Sequence, residues 1–598
     1  MSWIQRLYET YENNISQVGI VESEEMVPLL PMFHTTAKAQ IEVVIDEKGN
    51  FLRAHILDKD EPNIIIPCTE ESSGRSGKYP SPHPLCDKVQ YLAGDYKKYG
   101  GGKWHGYEEY CENLYQWMIS NNTHDKIKAI YEYVIKGTLM EDLINTKVII
   151  MDDNGSLKNN DGFVRWCVEQ MDIKESRVWR DITLFKSWEE YYSSSFKTKG
   201  YCQVLGKNVP IAINHPKNLY NMCANAKIIS SNDSEGFTYK GRFLEPDQCY
   251  GVSYEVSQKA HNALKWLISR QGYNNDKKTI ICWRTSNLET ANIFHDTFDL
   301  LGGESQESDV AYTGEEVANK INMKLRGYNF KLDSIDHVVL MSLESVTDGR
   351  LSITYYQEMN PEDFINRLER WHTSCSWIHY YKKPHVFVGA PAPIDIANTI
   401  LGEKEQSNKK VKMQIIDRIL TCIVDGQKIP LDLVQNSIRK TVNRVAFEEH
   451  RNFDKSLSIT CALYRKYCYD YRKEEIGMAL DKERRTRDYL YGRLLAIAQN
   501  VERWALDTND ENRLTNADRL MQRFAQHPFT TWKIIELALR PSFERLKEKG
   551  KSREKLIDEV MNLFEPGDFI KDTELSGEFL LAYHCQRAAL SKKEEIKC

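Results

Sequence analysis

The sequence lacks the features that mark metal-binding, nucleotide-binding and membrane proteins. Its 14 cysteines are scattered, without a Cys-x-x-Cys pair or a paired Cys/His spacing, so the clustered ligands of a structural zinc site are missing. It has no Gly-x-x-x-x-Gly-Lys-[Ser/Thr] phosphate loop and no His-Glu-x-x-His pair. No apolar run could cross a bilayer, and Met1 to Glu9 has no basic segment followed by an apolar one. We expect a cytoplasmic protein with reduced thiols, no membrane contact, no metal and no cofactor.

The charge balance argues against a protein that coats nucleic acid over its whole surface. Lys and Arg number 80 against 86 Asp and Glu, which gives a net charge of −6 and an isoelectric point of about 6.3. An acidic chain can still carry local basic tracks where a duplex passes. With 598 residues, 41% of them hydrophobic, the chain is long enough for two to four domains.

Hydrophobic periodicity predicts an α+β fold. The N-terminal and central regions mix helices and strands, with β-hairpins over 41–57 and 337–359, a strand over 279–283 and helices over 3–11 and 361–371. From residue 476 the pattern is that of an all-α helical bundle. The predicted domains are 1–230 (α+β), 231–400 (α+β), 401–475 (a linker and helical connection, with an exposed loop over 401–412) and 476–598 (helical bundle).

The most informative stretch is the loop 231–243 with the helix predicted over 253–270. Val256, Ala260, Ala263, Leu264, Leu267 and Ile268 fall on one face of that helix, and Gln258, Asn262, Lys265 and Ser269 fall on the other. In the loop, Asn232, Lys240 and Arg242 accompany three aromatic residues, a combination that suits contact with phosphates and bases. A solvent-facing hairpin and a solvated helix face are the alternatives.

Three other segments carry candidate nucleic-acid contacts. The loop 67–85 is rich in Gly, Ser and Pro, is predicted to be exposed, and contributes Ser73, Arg75, Ser76 and Lys78. The loop 95–105 has three consecutive glycines and contributes Lys97, Lys98 and Lys103. A basic segment, predicted to be helical and opened by Met478, contributes Arg484, Arg485 and Arg487. The alternatives are a plain surface loop, a flexible linker and a solvated helix face, respectively.

Two His-Asp dipeptides are the remaining hint of catalysis. His124-Asp125 and His295-Asp296 resemble part of a phosphohydrolase metal site, which needs further His and Asp ligands that converge in space. With 15 histidines in the chain, chance pairs of this kind are expected. We therefore predict no catalytic residues.

The run from Ser230 to Phe243, followed by Ser257 to Leu267, resembles the signature block of the large subunit of the subtype I-C CRISPR Cascade complex. Weaker matches occur at His337 to Met341 running into Arg350 to Tyr356, and at Phe579 to Arg587. Because these matches are spread over most of the chain, the resemblance covers the protein and not a single module.

The resemblance implies a non-catalytic protein of antiviral defence that reads the protospacer-adjacent motif (PAM) in double-stranded DNA. It would help to open the duplex, stabilise the R-loop and support recruitment of a helicase-nuclease. The implied partners are the CRISPR RNA ribonucleoprotein, the target DNA, the Cascade backbone subunits, the subunit that binds the 5′ handle of the guide RNA, and small subunits. Two alternatives stay open: a metal-dependent HD-type nuclease, and an RNA-binding scaffold without a DNA role.

The resemblance also implies that a small subunit can be translated from an internal start within the same gene. Met478 is the candidate start, because residues 478–598 are enough for an independent, small-subunit-like bundle.

Overall fold

The computed structural model is an α+β protein with 52% helix and 16% strand, which confirms the predicted fold class. Within the parts of the chain that the structure describes, no helix is both long enough and apolar enough to span a membrane. The described residues are 2–21, 26–75, 80–100, 106–151, 157–158, 161–171, 175–196, 199–220, 225–229, 250–275, 277–286, 290–302, 323, 336–347, 349–382, 385–402, 408–507 and 513–595.

The chain forms two compact units. Unit 1 contains residues 1–288 and 337–358, and unit 2 contains residues 289–336 and 359–598. The division into four domains that the sequence suggests stays a prediction.

The first part of unit 1 is built around a three-stranded sheet of order β3-β2-β7. Strands β2 and β3 form the predicted antiparallel hairpin, and β2 pairs with β7 in parallel. The hairpin turn uses Gly49 at φ +70°, where the carboxylate of Asp46 accepts the backbone N–H groups of Lys48 and Asn50. The strands are β1 (His34–Ala37), β2 (Ile41–Asp46), β3 (Phe51–Ile56), β4 (Ile64–Pro67), β5 (Ile150–Met151), β6 (Leu157–Lys158) and β7 (Val164–Glu169).

The second part of unit 1 combines a four-stranded sheet of order β10-β11-β12-β13 with a long helix. This helix, Tyr254–Gln271, is called the signature helix below; it begins after Ser253, whose hydroxyl accepts the N–H of Val256, and ends at Gly272. The predicted helix is therefore confirmed, and so are the strand over 279–283 and the hairpin over 337–359. The strands are β8 (Lys199–Cys202), β9 (Lys207–Pro210), β10 (Tyr273–Asn275), β11 (Lys278–Arg284), β12 (Val338–Thr347) and β13 (Arg350–Met359).

The apolar stripe of the signature helix is buried, as its periodicity predicts. Val256, Ala260 and Leu264 share one hydrophobic core with Ile4 and Leu7 of the N-terminal helix. The other helices of unit 1 are Glu70–Ser73, Val89–Leu92, Tyr107–Met118, Asp125–Val134, Leu139–Asn145 and Ile182–Ser194, and the N-terminal helix is Trp3–Asn13.

Unit 2 is mostly helical, with the hairpin β14 (Trp377–Lys382) and β15 (His385–Gly389). The C-terminal region is helical, as predicted, and the helices Arg487–Asp507 and Glu578–Glu595 pack closely where Gly492 meets the backbone of Phe579. The helices are Thr297–Leu300, Pro361–Ser374, Pro393–Leu401, Lys409–Val424, Leu431–Val442, His450–Tyr467, Arg487–Asp507, Asn516–Gln526, Pro528–Leu546, Lys551–Met561, Pro566–Phe569 and Glu578–Glu595.

Three local predictions were wrong. The loop expected over 401–412 contains a helix start at Lys409, because the side chain of Asn408 caps the helix by accepting the N–H of Val411. The segment opened by Met478 has no regular helix before Arg487. The loop 67–85 is not exposed throughout: residues 82–87 are buried, and residues 70–73 form a short capped helix. Tertiary packing of Leu85 and Cys86 into the core overrides the loop-like composition.

Candidate functional site

A polar pocket of about 510 Å³ opens in unit 1 between the signature helix and the first part of the unit. Its walls come from β1, the short helix Glu70–Ser73, the segment 214–219, Lys227 and the signature helix. We call it the unit 1 pocket. It joins two features that the sequence singles out separately: the start of the loop 67–85, and the helix that follows the signature loop.

The polar face predicted for the signature helix forms one wall of this pocket. Gln258, Asn262 and Lys265 line it. The amide of Asn262 donates to the carbonyl oxygens of Leu30 and Pro31 at 3.0 and 3.1 Å, which fastens the helix to the segment before β1. The face is therefore not simply solvated; part of it is structural, and part of it is available to a ligand.

Basic side chains surround the pocket. Lys217, Lys227, Lys265 and Arg75 contribute positive charge, against the two carboxylates Glu70 and Glu71. Burial, together with the nearby Lys217 ammonium, lowers the pKa of Lys227. Burial also lowers the pKa of Lys265. Because desolvated ammonium groups that repel one another are stabilised by an anion, this surface suits a phosphate.

Histidines and a carboxylate form the buried part of the lining. His34, His215 and His261 all line the pocket, with exposed fractions of 3%, 5% and 1%. Burial lowers the pKa of His34 and of His261 to about 4, so both rings are neutral at pH 7. Burial also raises the pKa of Glu70.

The first predicted loop contributes only part of its candidate residues to the pocket. Ser73 lines it, is exposed and donates its hydroxyl to the carbonyl oxygen of Glu70 at 3.1 Å. Arg75 also lines it, but its guanidinium is paired with Asp87 and lies 4.7 Å from the centre of the Tyr91 ring. Arg75 therefore already has a buried partner. Ser76 and Lys78 lie outside the described residues.

The other predicted contacts are not brought to the pocket by the described structure. Lys97 and Lys98 are exposed on a short 3₁₀ helix, and the Lys98 ammonium lies 4.0 Å from the carboxylate of Glu141. Outside the described residues lie Lys103, Asn232, Lys240 and Arg242. All of these assignments stay predictions.

The three C-terminal arginines belong to unit 2. Arg484 forms ion pairs with Glu474 and Glu578. Arg487 pairs with Asp488 at 2.9 Å and donates to Thr573. Arg485 is exposed, so it is the one of the three whose side chain is most accessible. Their role in binding nucleic acid stays a prediction.

The His-Asp dipeptides have helix-capping roles. His124 accepts the N–H of Lys126 and caps the helix Asp125–Val134. Asp296 is buried and caps the helix Thr297–Leu300 by accepting the N–H of Asp299. Over the described ranges of the chain, no group of three or more His, Cys, Asp or Glu side chains is arranged to hold a metal ion.

Sequence reasoning missed most of the residues that line the pocket, including five that carry ionisable groups. Lys217 and Lys227 precede the signature loop, and His34, His215 and Glu70 lie on elements far apart in the sequence. The sequence did contain a signal for the lysines, because both of them lie shortly before the loop 231–243, which is predicted to bind nucleic acid. Nothing in the sequence places His34 in the same pocket as the signature helix, since tertiary folding alone brings them to it.

Comparison with known protein families gives a match over nearly the whole chain. The family model described as CRISPR-associated protein (Cas_Csd1) matches residues 7–591. A search of curated proteins finds no match. The unit 1 pocket, the signature helix and the C-terminal helices all lie within the matched range.

Proposed function

The chain belongs to the CRISPR-associated Cas_Csd1 family, and we propose that it is the non-catalytic large subunit of a subtype I-C Cascade complex. In this role it recognises the PAM in double-stranded DNA, helps to open the duplex, and stabilises the R-loop. The observation that carries the proposal is the family match over residues 7–591, which involves both units. Guide RNA supplies the long sequence specificity in such complexes, so the protein needs to read only a few base pairs and hold the backbone.

The chemistry of the unit 1 pocket supports a DNA contact there. Lys217 and Lys227 provide two ammonium groups for phosphate. Gln258 provides an amide, a group that reads base edges. The pocket thus combines groups that can bind the DNA backbone with a group that can hydrogen-bond to a base. Recognition of a short motif requires both.

The partners follow from this role. They are the CRISPR RNA ribonucleoprotein, target double-stranded DNA, the Cascade backbone subunits, the subunit at the 5′ handle of the guide, small subunits, and a helicase-nuclease recruited after DNA binding. The complex acts in the cytoplasm, where invading DNA is met.

The test is co-purification of the chain with guide RNA and the backbone subunits, followed by duplex binding across a salt series. The expected result is tight binding only to duplexes that carry the motif, with a steep loss of affinity as salt rises. Equal binding of all duplexes, or binding of the guide complex without any effect on DNA affinity, would overturn the proposal; the second result would favour an RNA-binding scaffold. Metal-dependent cleavage by the isolated chain, abolished by His295→Ala, would indicate a nuclease.

A further inference from the structure

Two neighbouring tyrosines lie at the end of the helix His450–Tyr467 in unit 2. The helix continues as a five-residue π-helix, Cys468–Arg472, which ends at Lys473 in the left-handed conformation, with φ +58°. Such π turns are rare and occur frequently at functional sites. The ring of Tyr467 lies 5.4 Å from that of Tyr471, centre to centre, at an interplanar angle of 34°. The two rings therefore lie side by side at this end of the helix.

Two basic side chains accompany these rings. The Lys428 ammonium lies 4.9 Å from the centre of the Tyr471 ring, and the Arg472 guanidinium carbon lies 5.4 Å from that of Tyr467. Both basic residues are exposed, and so is 39% of Tyr471. No carboxylate among the described residues forms an ion pair with either cation, so both charges are available to an anion. We call Tyr467, Tyr471, Lys428 and Arg472 the tyrosine surface.

Hydrogen bonds hold this surface in place. Tyr471 donates its hydroxyl to the carbonyl oxygen of Ile429 at 3.0 Å, and the carboxylate of Asp470 accepts the N–H of Ile429 at 2.9 Å. Lys428 directly precedes this doubly bonded residue and is thereby kept beside the Tyr471 ring. Asp470 itself is buried and pairs with Lys466 at 2.6 Å. The charge of this carboxylate is therefore balanced inside the protein.

A second tyrosine pair, in unit 1, shows what is distinctive about the tyrosine surface. The rings of Tyr115 and Tyr131 lie 5.5 Å apart at 38°, and Tyr115 is 38% exposed. The geometry and the exposure are thus nearly the same. The neighbouring charges are opposite, because the exposed carboxylates of Glu112 and Glu132 interact electrostatically with Tyr131. Carboxylates repel phosphate, whereas the two cations of the tyrosine surface attract it.

We propose that the tyrosine surface binds the DNA strand displaced when the duplex opens, with unpaired bases stacked on the two rings and phosphates at Lys428 and Arg472. Aromatic rings beside cations bind single strands in many proteins. A closed duplex is a poorer ligand, because its bases stack on one another and cover their own faces. The other DNA strand is paired with the guide RNA, so its bases are covered too. This inference rests on the proposed function, since duplex opening supplies the free strand.

The chemistry of this surface also defines what it contributes. Every base has a face that can stack, and every nucleotide carries a phosphate, so stacking and charge attraction tolerate any sequence. A site that binds only the opened DNA shifts the equilibrium towards the open state. The tyrosine surface therefore adds affinity after the motif has been read, and it does so independently of the target sequence.

The experiment uses the assembled complex and a motif-bearing duplex whose target region is mismatched, so that the two strands cannot re-pair there. A second substrate lacks the displaced strand over that region. For the wild type we expect the first substrate to bind about 10-fold more tightly than the second. In Tyr471→Ala this preference should fall below about 3-fold. Tyr115→Ala, at a tyrosine of matched exposure, should retain the full preference.

Tyr471→Phe separates stacking from a structural role of the residue. It keeps the ring and removes only the hydroxyl that bonds to Ile429, so it should retain the preference for the displaced strand. If the Phe variant lost the preference as fully as the Ala variant, the residue would act by holding the segment at Ile429 and stacking would be overturned.

Crosslinking provides a readout that needs no variant. With 5-iodo-deoxyuridine in the displaced strand, irradiation should attach that strand to the peptide that contains Tyr467 and Tyr471. Crosslinks to this peptide from the guide RNA alone, no preference of the wild type for the displaced strand, or a full preference in Tyr471→Ala would overturn the inference and leave the proposed function standing. Loss of motif dependence in the wild type would overturn the proposed function and the inference with it.

Discussion

Arg75 donates to both carboxylate oxygens of Asp87, a residue with no solvent-exposed surface. The same carboxylate accepts the backbone N–H groups of His83 and Lys88 at 2.6 and 2.7 Å. One ion pair thus fixes the end of the loop 67–85 to the core beside the unit 1 pocket. An arginine that the sequence suggests as a nucleic-acid contact has, in the fold, a structural partner.

Removing the carboxylate should therefore destabilise this loop strongly. In Asp87→Ala the Arg75 guanidinium is left partly buried without its partner, and we expect a local loss of about 3 kcal/mol. Native-state hydrogen exchange at the amides of His83 and Lys88 measures it. Asp432→Ala is the matched control, since its bidentate pair with Arg418 is exposed on both sides and should cost less than about 1 kcal/mol. Equal costs at the two pairs would contradict the account.

Stability should fall as pH drops below 6.5, in part because of His34 and His261. Burial lowers the pKa of each to about 4, so the folded protein holds these rings neutral while the unfolded chain protonates them near pH 6.5. Above pH 6.5 the two neutral rings make their full contribution to the free energy of unfolding. As pH falls towards 4, that contribution decreases by about 3 kcal/mol for each ring.

The thermal midpoint between pH 7 and pH 4 measures this dependence. His34→Phe should have a shallower decline than the wild type. If the thermal midpoint of His34→Phe declined with pH as steeply as that of the wild type, this ring would not contribute to the pH dependence of stability.

The contact at Gly492 predicts a large effect of one methyl group. A Cβ atom there would overlap the carbonyl oxygen of Phe579 on the partner helix, so Gly492→Ala should cost about 3 kcal/mol or more through overpacking. Gly477→Ala is the control, because a Cβ at Gly477 meets nothing within 4 Å. Thermal unfolding compares them, and similar midpoints for the two variants would refute the close packing of these helices.

An internal start at Met478 predicts a separate C-terminal product. Met478 lies in a stretch without regular structure, and the helices that follow it pair within the segment. Met478→Leu should therefore remove a short product that co-purifies with the complex and leave the full-length chain present. Persistence of the short product on a denaturing gel would exclude this start.

The sequence predicts those parts of the fold whose signal is local. The signature helix follows from its apolar stripe, and the hairpin at Gly49 follows from two β-rich runs on either side of a turn. The helix at Lys409 was missed because a polar, lysine-rich composition resembles a loop, although Asn408 supplies a cap. Residues 82–85 were wrongly predicted to be exposed, because a high density of proline predicts a loop but does not predict whether that loop is buried.

The candidate site was only partly predictable, for a different reason. The polar face of the signature helix and Ser73 were identified from composition. His34 and Lys217 were not, because they reach the pocket from elements that lie 220 and 37 residues before Tyr254 in the numbering of the chain. Their proximity results from tertiary packing, which cannot be predicted from the periodicity of any single segment.

The most direct measurement is DNA affinity of the assembled complex carrying Lys217→Gln/Lys227→Gln, across a salt series. Loss of two phosphate contacts should weaken binding of a motif-bearing duplex about 10-fold or more near physiological salt, and should reduce the slope of log affinity against log salt by about 2. Lys59→Gln/Lys186→Gln, at two exposed lysines outside the pocket, should leave both quantities unchanged. Wild-type affinity and slope in the pocket variant would contradict the proposal that DNA binds at the unit 1 pocket.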